Sequence, residues 1–183
     1  MSTFHPFYRF YILPQLASHP QNVQLLYEKA QIHFTNENWE GLIQLYAKIY
    51  ESQRDNTILE RMIEIGNATD TIHVVYREIL NIDPTKQDEV ILLEILSKIA
   101  YSLEEYQNAI SHLDSLKQIV ESNTPYLLLG DILMKTGNYE DAKLNFNQIL
   151  NNIEDHYDSI YYLALIEYES QNNDLAIELF SRL

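Results

Sequence analysis

The sequence contains no cysteine among its 183 residues, which excludes disulfide bonds and metal sites built on thiolates. It also has no run near the roughly 18 apolar residues that a membrane-spanning helix requires. Its first residues lack a positively charged start followed by a long apolar stretch, so a secretory signal is not expected. These absences are typical of a protein in a reducing compartment, and we expect it to be cytoplasmic.

Positive charge is scarce along the chain. There are 12 Lys and Arg residues against 27 Asp and Glu residues, and the formal net charge is −15. Binding to a nucleic-acid backbone depends on Lys and Arg that displace counterions, so a nucleic-acid partner is not expected. A basic protein surface suits this charge better. The alternative interpretation is that the acidic residues only keep a helical protein soluble.

Motifs for catalysis are missing as well. The sequence has no Gly-rich phosphate loop, no nucleophile elbow and no HExxH motif. Six histidines occur, and no two of them have the spacing of metal ligands: His5, His19, His33, His73, His112 and His156. We therefore predict that the protein is not an enzyme and that it has no cofactor and no metal site.

The most informative stretch that the chain does contain runs from Asn123 to Leu150. Apolar residues recur there at helical spacing in two groups: Tyr126, Leu129 and Leu133, then Tyr139, Ala142, Phe146, Ile149 and Leu150. Gly137 between the groups permits a left-handed turn, and Asn138 can cap the second helix. The small residues Gly130 and Ala142 allow the two helices to cross closely. The pattern predicts a helical hairpin that buries the second group.

Several of these positions recur at one period. Tyr106 and Ala109 lie 33 residues before Tyr139 and Ala142. Ala142 and Phe146 lie 34 residues before Ala176 and Phe180. The arrangement resembles the tetratricopeptide repeat (TPR), whose signature is a large aromatic residue, Leu-Gly, a Gly-x-Tyr turn, an alanine and a phenylalanine over about 34 residues. The matching residues here are Tyr126, Leu129, Gly130, Gly137, Tyr139, Ala142 and Phe146.

The resemblance implies an all-α solenoid of about five antiparallel helix pairs in residues 21–183, wound as a right-handed superhelix with a concave face. The early pairs depart from the signature. Leu42 stands in the place of Ala142, so a wider helix crossing is expected there, with Trp39 and Tyr46 in the places of Tyr139 and Phe146. One helix should stop near Gly66-Asn67, and the next should end before Asp83-Pro84.

Residues 1–20 differ from the rest because they carry many aromatic rings: Phe4, Phe7, Tyr8, Phe10 and Tyr11. We interpret this segment as a cap that packs on the first helix pair. Two alternatives stay open, an arm that docks on another protein and a segment that contacts a membrane interface.

In the TPR family, the first helix of each pair lines the groove, and recurring positions on it contact the ligand. The resemblance places the partner-binding residues of this chain at Tyr27, Phe34, Glu94, Lys98, Tyr101, Leu127, Asp131, Met134, Tyr161, Leu165 and Tyr168. Tyrosine suits recognition because it buries a large area with few rotors. The competing interpretation is that some of these rings pack between repeats.

The leading hypothesis is a non-catalytic scaffold that binds a partner peptide or helix in its groove. The run from Glu154 to Phe180 also resembles part of the type III secretion translocator chaperones, so a chaperone for a secretion or assembly client is one alternative. A permanent subunit of a larger complex is another. The last predicted helix leaves an apolar end, so we expect self-association, a covering partner or a longer natural chain: Leu175, Leu179, Phe180 and Leu183.

Overall fold

The computed structural model describes residues 13–19 and 22–183, and this part of the chain is all-α. It contains eleven helices: α1 Leu13–Ser18, α2 Val23–Thr35, α3 Trp39–Gln53, α4 Asn56–Ala68, α5 Ile72–Leu80, α6 Glu89–Ser102, α7 Tyr106–Lys117, α8 Thr124–Lys135, α9 Tyr139–Leu150, α10 Tyr157–Glu169 and α11 Asn173–Phe180. Within these described ranges, no helix is both long and apolar enough to cross a bilayer. The aromatic residues between Phe4 and Tyr11 lie outside the described residues, so their role stays a prediction.

From α2 onward the described helices form five successive pairs, as the sequence predicts. The chain divides into two compact units, an N-terminal unit, Met1–Leu92, and a C-terminal unit, Leu93–Leu183. The division falls inside α6. Each unit is described below by itself.

The turn inside each pair has the same backbone geometry in all five cases. A residue with φ between 54° and 78° precedes the second helix by two positions: Glu37, Asp70, Glu104, Gly137 and Gln171. The next residue donates its amide hydrogen to a carbonyl five residues earlier, over 2.8–2.9 Å, as at the C-terminus of many helices. Gly137 was expected to be left-handed from the sequence, and the structure confirms it. The other four residues carry side chains, which makes a left-handed backbone costly and hard to foresee.

The N-terminal unit is held by aliphatic packing and by one buried polar network. Leu42, Ile49 and Met62 are fully buried. Asp88 is also buried, and its carboxylate accepts hydrogen bonds from the Thr85 amide and hydroxyl over 2.6 and 2.8 Å. Two residues near the end of α3 complete the network. The Arg54 guanidinium lies 2.6 Å from the same carboxylate, and the fully buried Tyr50 hydroxyl donates to it over 3.2 Å.

The C-terminal unit has a core built around Phe146, which is fully buried with Ala142 and Ile166. A Cβ on Gly130 would lie 2.5 Å from the Phe146 ring, so only glycine lets α8 approach α9 this closely. The packing of this small-residue crossing follows the sequence pattern. Between α9 and α10, the nearly buried Glu167 carboxylate pairs with Lys143 over 2.9 Å.

One local expectation from the sequence is wrong, and a second is confirmed. Tyr139 was expected in the core, but 38% of its surface is exposed, because it begins α9 and the core contacts of that helix start at Ala142. The predicted stop of α4 near Gly66-Asn67 is confirmed, because the helix ends at Ala68. Gly66 is buried, and a Cβ there would lie 2.7 Å from Val75 of α5. Gly66 therefore also permits close packing of α4 on α5, a role that the sequence pattern did not show.

Candidate protein-binding surface

In the C-terminal unit, the predicted binding residues lie on the first helices of three pairs, α6, α8 and α10. Tyr101 of α6 and Asp131 of α8 are joined directly, because the tyrosine hydroxyl donates a hydrogen bond to the carboxylate. The ammonium group of Lys135 lies 5.7 Å from the centre of the Tyr101 ring. The three side chains therefore form a connected polar cluster, which we call the Tyr101 cluster.

The side chains of the Tyr101 cluster shift one another's pKa values. Burial raises the pKa of Tyr101, and the hydrogen bond to Asp131 raises it further because ionisation would place two negative charges together. The pKa of Lys135 is raised by its interaction with the Tyr101 hydroxyl and by the nearby Asp131 carboxylate. The Asp131 carboxylate already accepts the Tyr101 hydrogen bond and lies near the Lys135 charge, so it offers a partner little new ion-pairing energy.

A fourth side chain, the Tyr162 ring, adjoins this cluster from α10. Tyr162 stacks on Phe146 with ring centres 5.1 Å apart and planes inclined by 12°. Burial raises the pKa of Tyr162, and the charge of Asp131 adds to the effect. Tyr162 therefore joins the core around Phe146 to the surface that carries the Tyr101 cluster.

The exposed part of this surface is a stripe on α10. Tyr161, Leu165 and Tyr168 are spaced four and three residues apart, so they share one face of the helix. Tyr161 is 40% exposed and Tyr168 is 60% exposed, whereas Leu165 is half-buried. Tyr161 also makes edge contacts with Tyr162 and with Phe180 of α11, at 5.8 and 6.3 Å between ring centres. We call Tyr161, Leu165 and Tyr168 the α10 stripe.

The remaining predicted residues of the C-terminal unit differ in their surroundings. Leu127 and Met134 are half-buried and pack against the core around Phe146, so part of their area is structural. Glu94 is half-buried and Lys98 is exposed on α6. Neither charge has an ion-pair partner in the described part of the chain. The structure thus joins Tyr101 with Asp131 and leaves Lys98 as a solvated charge.

In the N-terminal unit, the two predicted residues lie on α2 and are both exposed. The Tyr27 hydroxyl donates to the side-chain oxygen of Gln53 on α3, over 3.2 Å. Phe34 is 53% exposed and contacts Trp39 edge-on, with ring centres 5.7 Å apart. Both rings therefore contact the second helix of their own pair while keeping accessible area.

Sequence reasoning missed Lys135 and Tyr162. Lys135 lies four residues after Asp131 on α8, a spacing that brings side chains together on a helix, and this signal was available. Tyr162 follows Tyr161 directly, and adjacent helical residues point in different directions. Only the position of Phe146 on another helix shows where the Tyr162 ring goes, and local spacing carries no such information.

Comparison with known proteins agrees with this geometry. Residues 127–183 match the family model described as tetratricopeptide repeat. This part of the chain is therefore similar to the TPR family. Its match covers the end of the C-terminal unit, where Gly130, Gly137, Ala142 and Phe146 supply the signature. No curated protein matches the chain.

Solved TPR structures share the fold at low sequence identity. MamA from Desulfovibrio magneticus RS-1 has a TM-score of 0.63 at 11% identity, with 87% of this chain and 92% of that chain covered. YrrB, described as a TPR protein with an unusual peptide-binding site, gives 0.61 at 14% identity, covering 94% and 90%. A TPR protein from Parabacteroides merdae gives 0.64 at 16% identity, covering 88% and 65%. Most of the chain is therefore similar to TPR folds, beyond the segment that the family model matches.

Proposed function

We propose that this protein is a non-catalytic scaffold that binds a segment of a partner protein on the α6, α8 and α10 surface of its C-terminal unit. TPR folds expose the first helices of their pairs for such contacts, and one similar protein, YrrB, is described by its peptide-binding site. The observation that carries the proposal is the α10 stripe, which places two exposed tyrosines and a half-buried leucine beside the hydrogen-bonded Tyr101 cluster.

Apolar contact would provide most of the binding free energy. Tyrosine anchors at the centre of an interface often contribute about 2 kcal/mol or more when truncated. The net charge of −15 would speed the encounter with a basic partner and disfavour acidic ones. Exposed charges are screened beyond roughly 8 Å at physiological salt, so added salt should slow association more than it weakens the complex.

The test begins with affinity purification of the tagged protein and identification of a co-purified partner. Calorimetry then compares the wild type with Tyr161→Ala and Tyr168→Ala. Each is expected to weaken binding roughly thirtyfold, which corresponds to about 2 kcal/mol. The matched control is Tyr139→Ala, because Tyr139 has the exposure of Tyr161 but lies on α9, a second helix.

Two outcomes would reject the proposal. One is normal affinity for both α10 variants. The other is loss of binding on charge reversal at Glu94 and Asp131 while the tyrosine variants bind normally, which would indicate an electrostatic surface. A chaperone role is a narrower form of the proposal, in which the bound segment aggregates when this protein is absent.

A second candidate function is a permanent subunit of a larger complex, and α11 favours it. This helix and the three residues after it expose four apolar side chains: Leu175, Ile177, Phe180 and Leu183. Within the helix, only Ala176 is buried. Stoichiometric co-purification with one partner, lost in Ile177→Asp but kept in Tyr168→Ala, would favour this role. A monodisperse monomer at high concentration would count against it and against self-association.

A further inference from the structure

A cleft of about 570 Å³ lies at the junction between the third and fourth helix pairs, within the C-terminal unit. The end of α7, the loop 118–123, the start of α8 and the end of α9 surround it. Its lining is polar and includes Lys117, Glu121, Tyr126, Gln148 and Asn152. None of these residues belongs to the Tyr101 cluster or to the α10 stripe, so the cleft is a separate feature of the unit.

The charged group of this cleft that lacks an ion-pair partner among the described residues is acidic. The ammonium group of Lys117 lies 3.7 Å from the Asp114 carboxylate and 4.9 Å from the centre of the Tyr126 ring, so it is already engaged. The exposed Glu121 has no ion-pair partner within residues 13–19 and 22–183. Two helices, α7 and α9, end at the cleft, and the carbonyl end of a helix favours a cation. One helix, α8, begins there, and its Pro125 has no amide hydrogen to offer an anion.

The next junction along the chain contains a cation from the protein itself. Arg182 donates a hydrogen bond to the backbone carbonyl of Glu154 over 2.9 Å and lies 3.6 Å from the Asp155 carboxylate. Both acceptors belong to the loop between α9 and α10. Arg182 follows Gln148 by 34 residues, the same offset that relates Phe146 to Phe180. One junction thus holds an arginine, and the equivalent position of the other junction holds a shorter, neutral glutamine.

We propose that the cleft binds the arginine side chain of a basic partner protein. The guanidinium would pair with Glu121, as Arg182 pairs with Asp155 at the next junction. The Asn152 side chain donates its amide hydrogen to Asn123 over 3.1 Å, which leaves its own oxygen available as an acceptor. Arginine suits this arrangement because its planar group presents five donors to a carboxylate and to neighbouring oxygens.

The direct test is an NMR titration of the full chain with N-acetyl-arginine amide. The matched probe is N-acetyl-citrulline amide, which has a similar shape but no charge. We expect saturable shifts of the side-chain amide signals of Gln148 and Asn152 with the arginine probe, and at least threefold weaker binding of citrulline. Equal binding of the two probes would overturn the proposal. So would acetate that shifts the same signals at lower concentration, because it would identify an anion site.

Two variants sharpen the test. Gln148→Arg places an arginine at the position equivalent to Arg182, so it should fill the cleft from within and remove the saturable shift of the Asn152 side-chain amide. Glu121→Gln should weaken arginine binding about threefold, as expected for one exposed ion pair. The control is Glu140→Gln, since Glu140 is an exposed carboxylate outside the cleft that pairs with Lys143. Unchanged arginine affinity in both cleft variants, with unchanged thermal midpoints, would refute the assignment.

Discussion

The two units build the same helical hairpins with different interior chemistry. In the C-terminal unit, Gly130 and Ala142 make room for Phe146. In the N-terminal unit, Leu42 occupies the equivalent place of Ala142, and a Cβ on the preceding Gly41 would collide with the His33 ring. The close contact of α3 with α2 is therefore made at Gly41, one residue before the position equivalent to Ala142. Whether the helix crossing is wider there stays a prediction.

The turn geometry is common to both units even though the signature residues are not. Every described pair has a left-handed residue and the same backbone hydrogen bond five residues back. The family model nevertheless matches residues 127–183 alone. The comparison teaches that the hairpin backbone tolerates loss of the signature, provided that other contacts fix the helices. In the N-terminal unit the Asp88 network supplies such contacts.

The largest expected effect is in the C-terminal unit. Phe146→Ala should lower the free energy of unfolding by about 3–5 kcal/mol, because it empties a fully buried aromatic site. Urea unfolding measures the change. The control is Phe34→Ala, whose exposed ring in the N-terminal unit should cost far less. Equal costs for the two variants would contradict the packing difference between the units.

The next effect belongs to the Asp88 network. Asp88→Ala should lower the free energy of unfolding by about 2–4 kcal/mol, because it leaves the buried Tyr50 hydroxyl and the Arg54 charge without their partner. Burial alone would raise the pKa of Asp88, but hydrogen bonds from Thr85 and Arg54 outweigh it, and the pKa lies below its usual value. The wild type should therefore lose this stability as the pH falls below about 4, and the variant should not.

The matched control for that experiment is Asp83→Ala. Asp83 is exposed, and the Arg54 guanidinium reaches its backbone carbonyl and not its carboxylate. A small change in Asp83→Ala beside a large change in Asp88→Ala would support the network. Equal small changes would show that aliphatic packing alone holds the N-terminal unit.

A smaller effect tests the common turn. Gly137 has φ of 78°, and a Cβ there would meet nothing within 4 Å. Gly137→Ala should therefore cost about 1–2 kcal/mol through backbone strain alone. Glu104→Gly in the preceding pair should change stability in the opposite direction or very little, because it relieves the same strain. Thermal unfolding of both variants would check this, and a stabilising Gly137→Ala would refute the strain argument.

The smallest signal comes from one of 14 tyrosines. Burial raises the pKa of Tyr50 to about 12, and the Asp88 charge contributes. The pKa of Tyr50 in the folded protein lies above its value of about 10 in the unfolded chain. The contribution of Tyr50 to stability is therefore fully present below pH 10 and is lost as the pH rises towards 12. Tyr101 and Tyr162 also have raised pKa values, so ultraviolet titration should show one late phenol fewer in Tyr50→Phe than in the wild type. Titration of that phenol near pH 10 would contradict its burial.

The sequence predicted the all-α class, five helix pairs and the Gly130, Ala142 and Phe146 packing, because these depend on period and residue size. The resemblance to the TPR family named the three residues of the α10 stripe, and their binding role stays a prediction. Its assignment of all eleven binding residues to one concave face stays a prediction. The Tyr101 cluster could be predicted only in part. Tyr101 and Asp131 were named as binding residues, but the hydrogen bond between them was not predicted.

Tertiary structure alone decided the features that join distant residues. The Asp88 carboxylate meets Tyr50 and Arg54 across 38 and 34 residues of sequence, and no local pattern records that contact. Tyr139 was misread for the same reason, since burial depends on the neighbouring helix. The four left-handed turns without glycine exist because packing of the flanking helices outweighs a local backbone cost. Local periodicity fixed which helices form, and contacts between helices fixed what each side chain does.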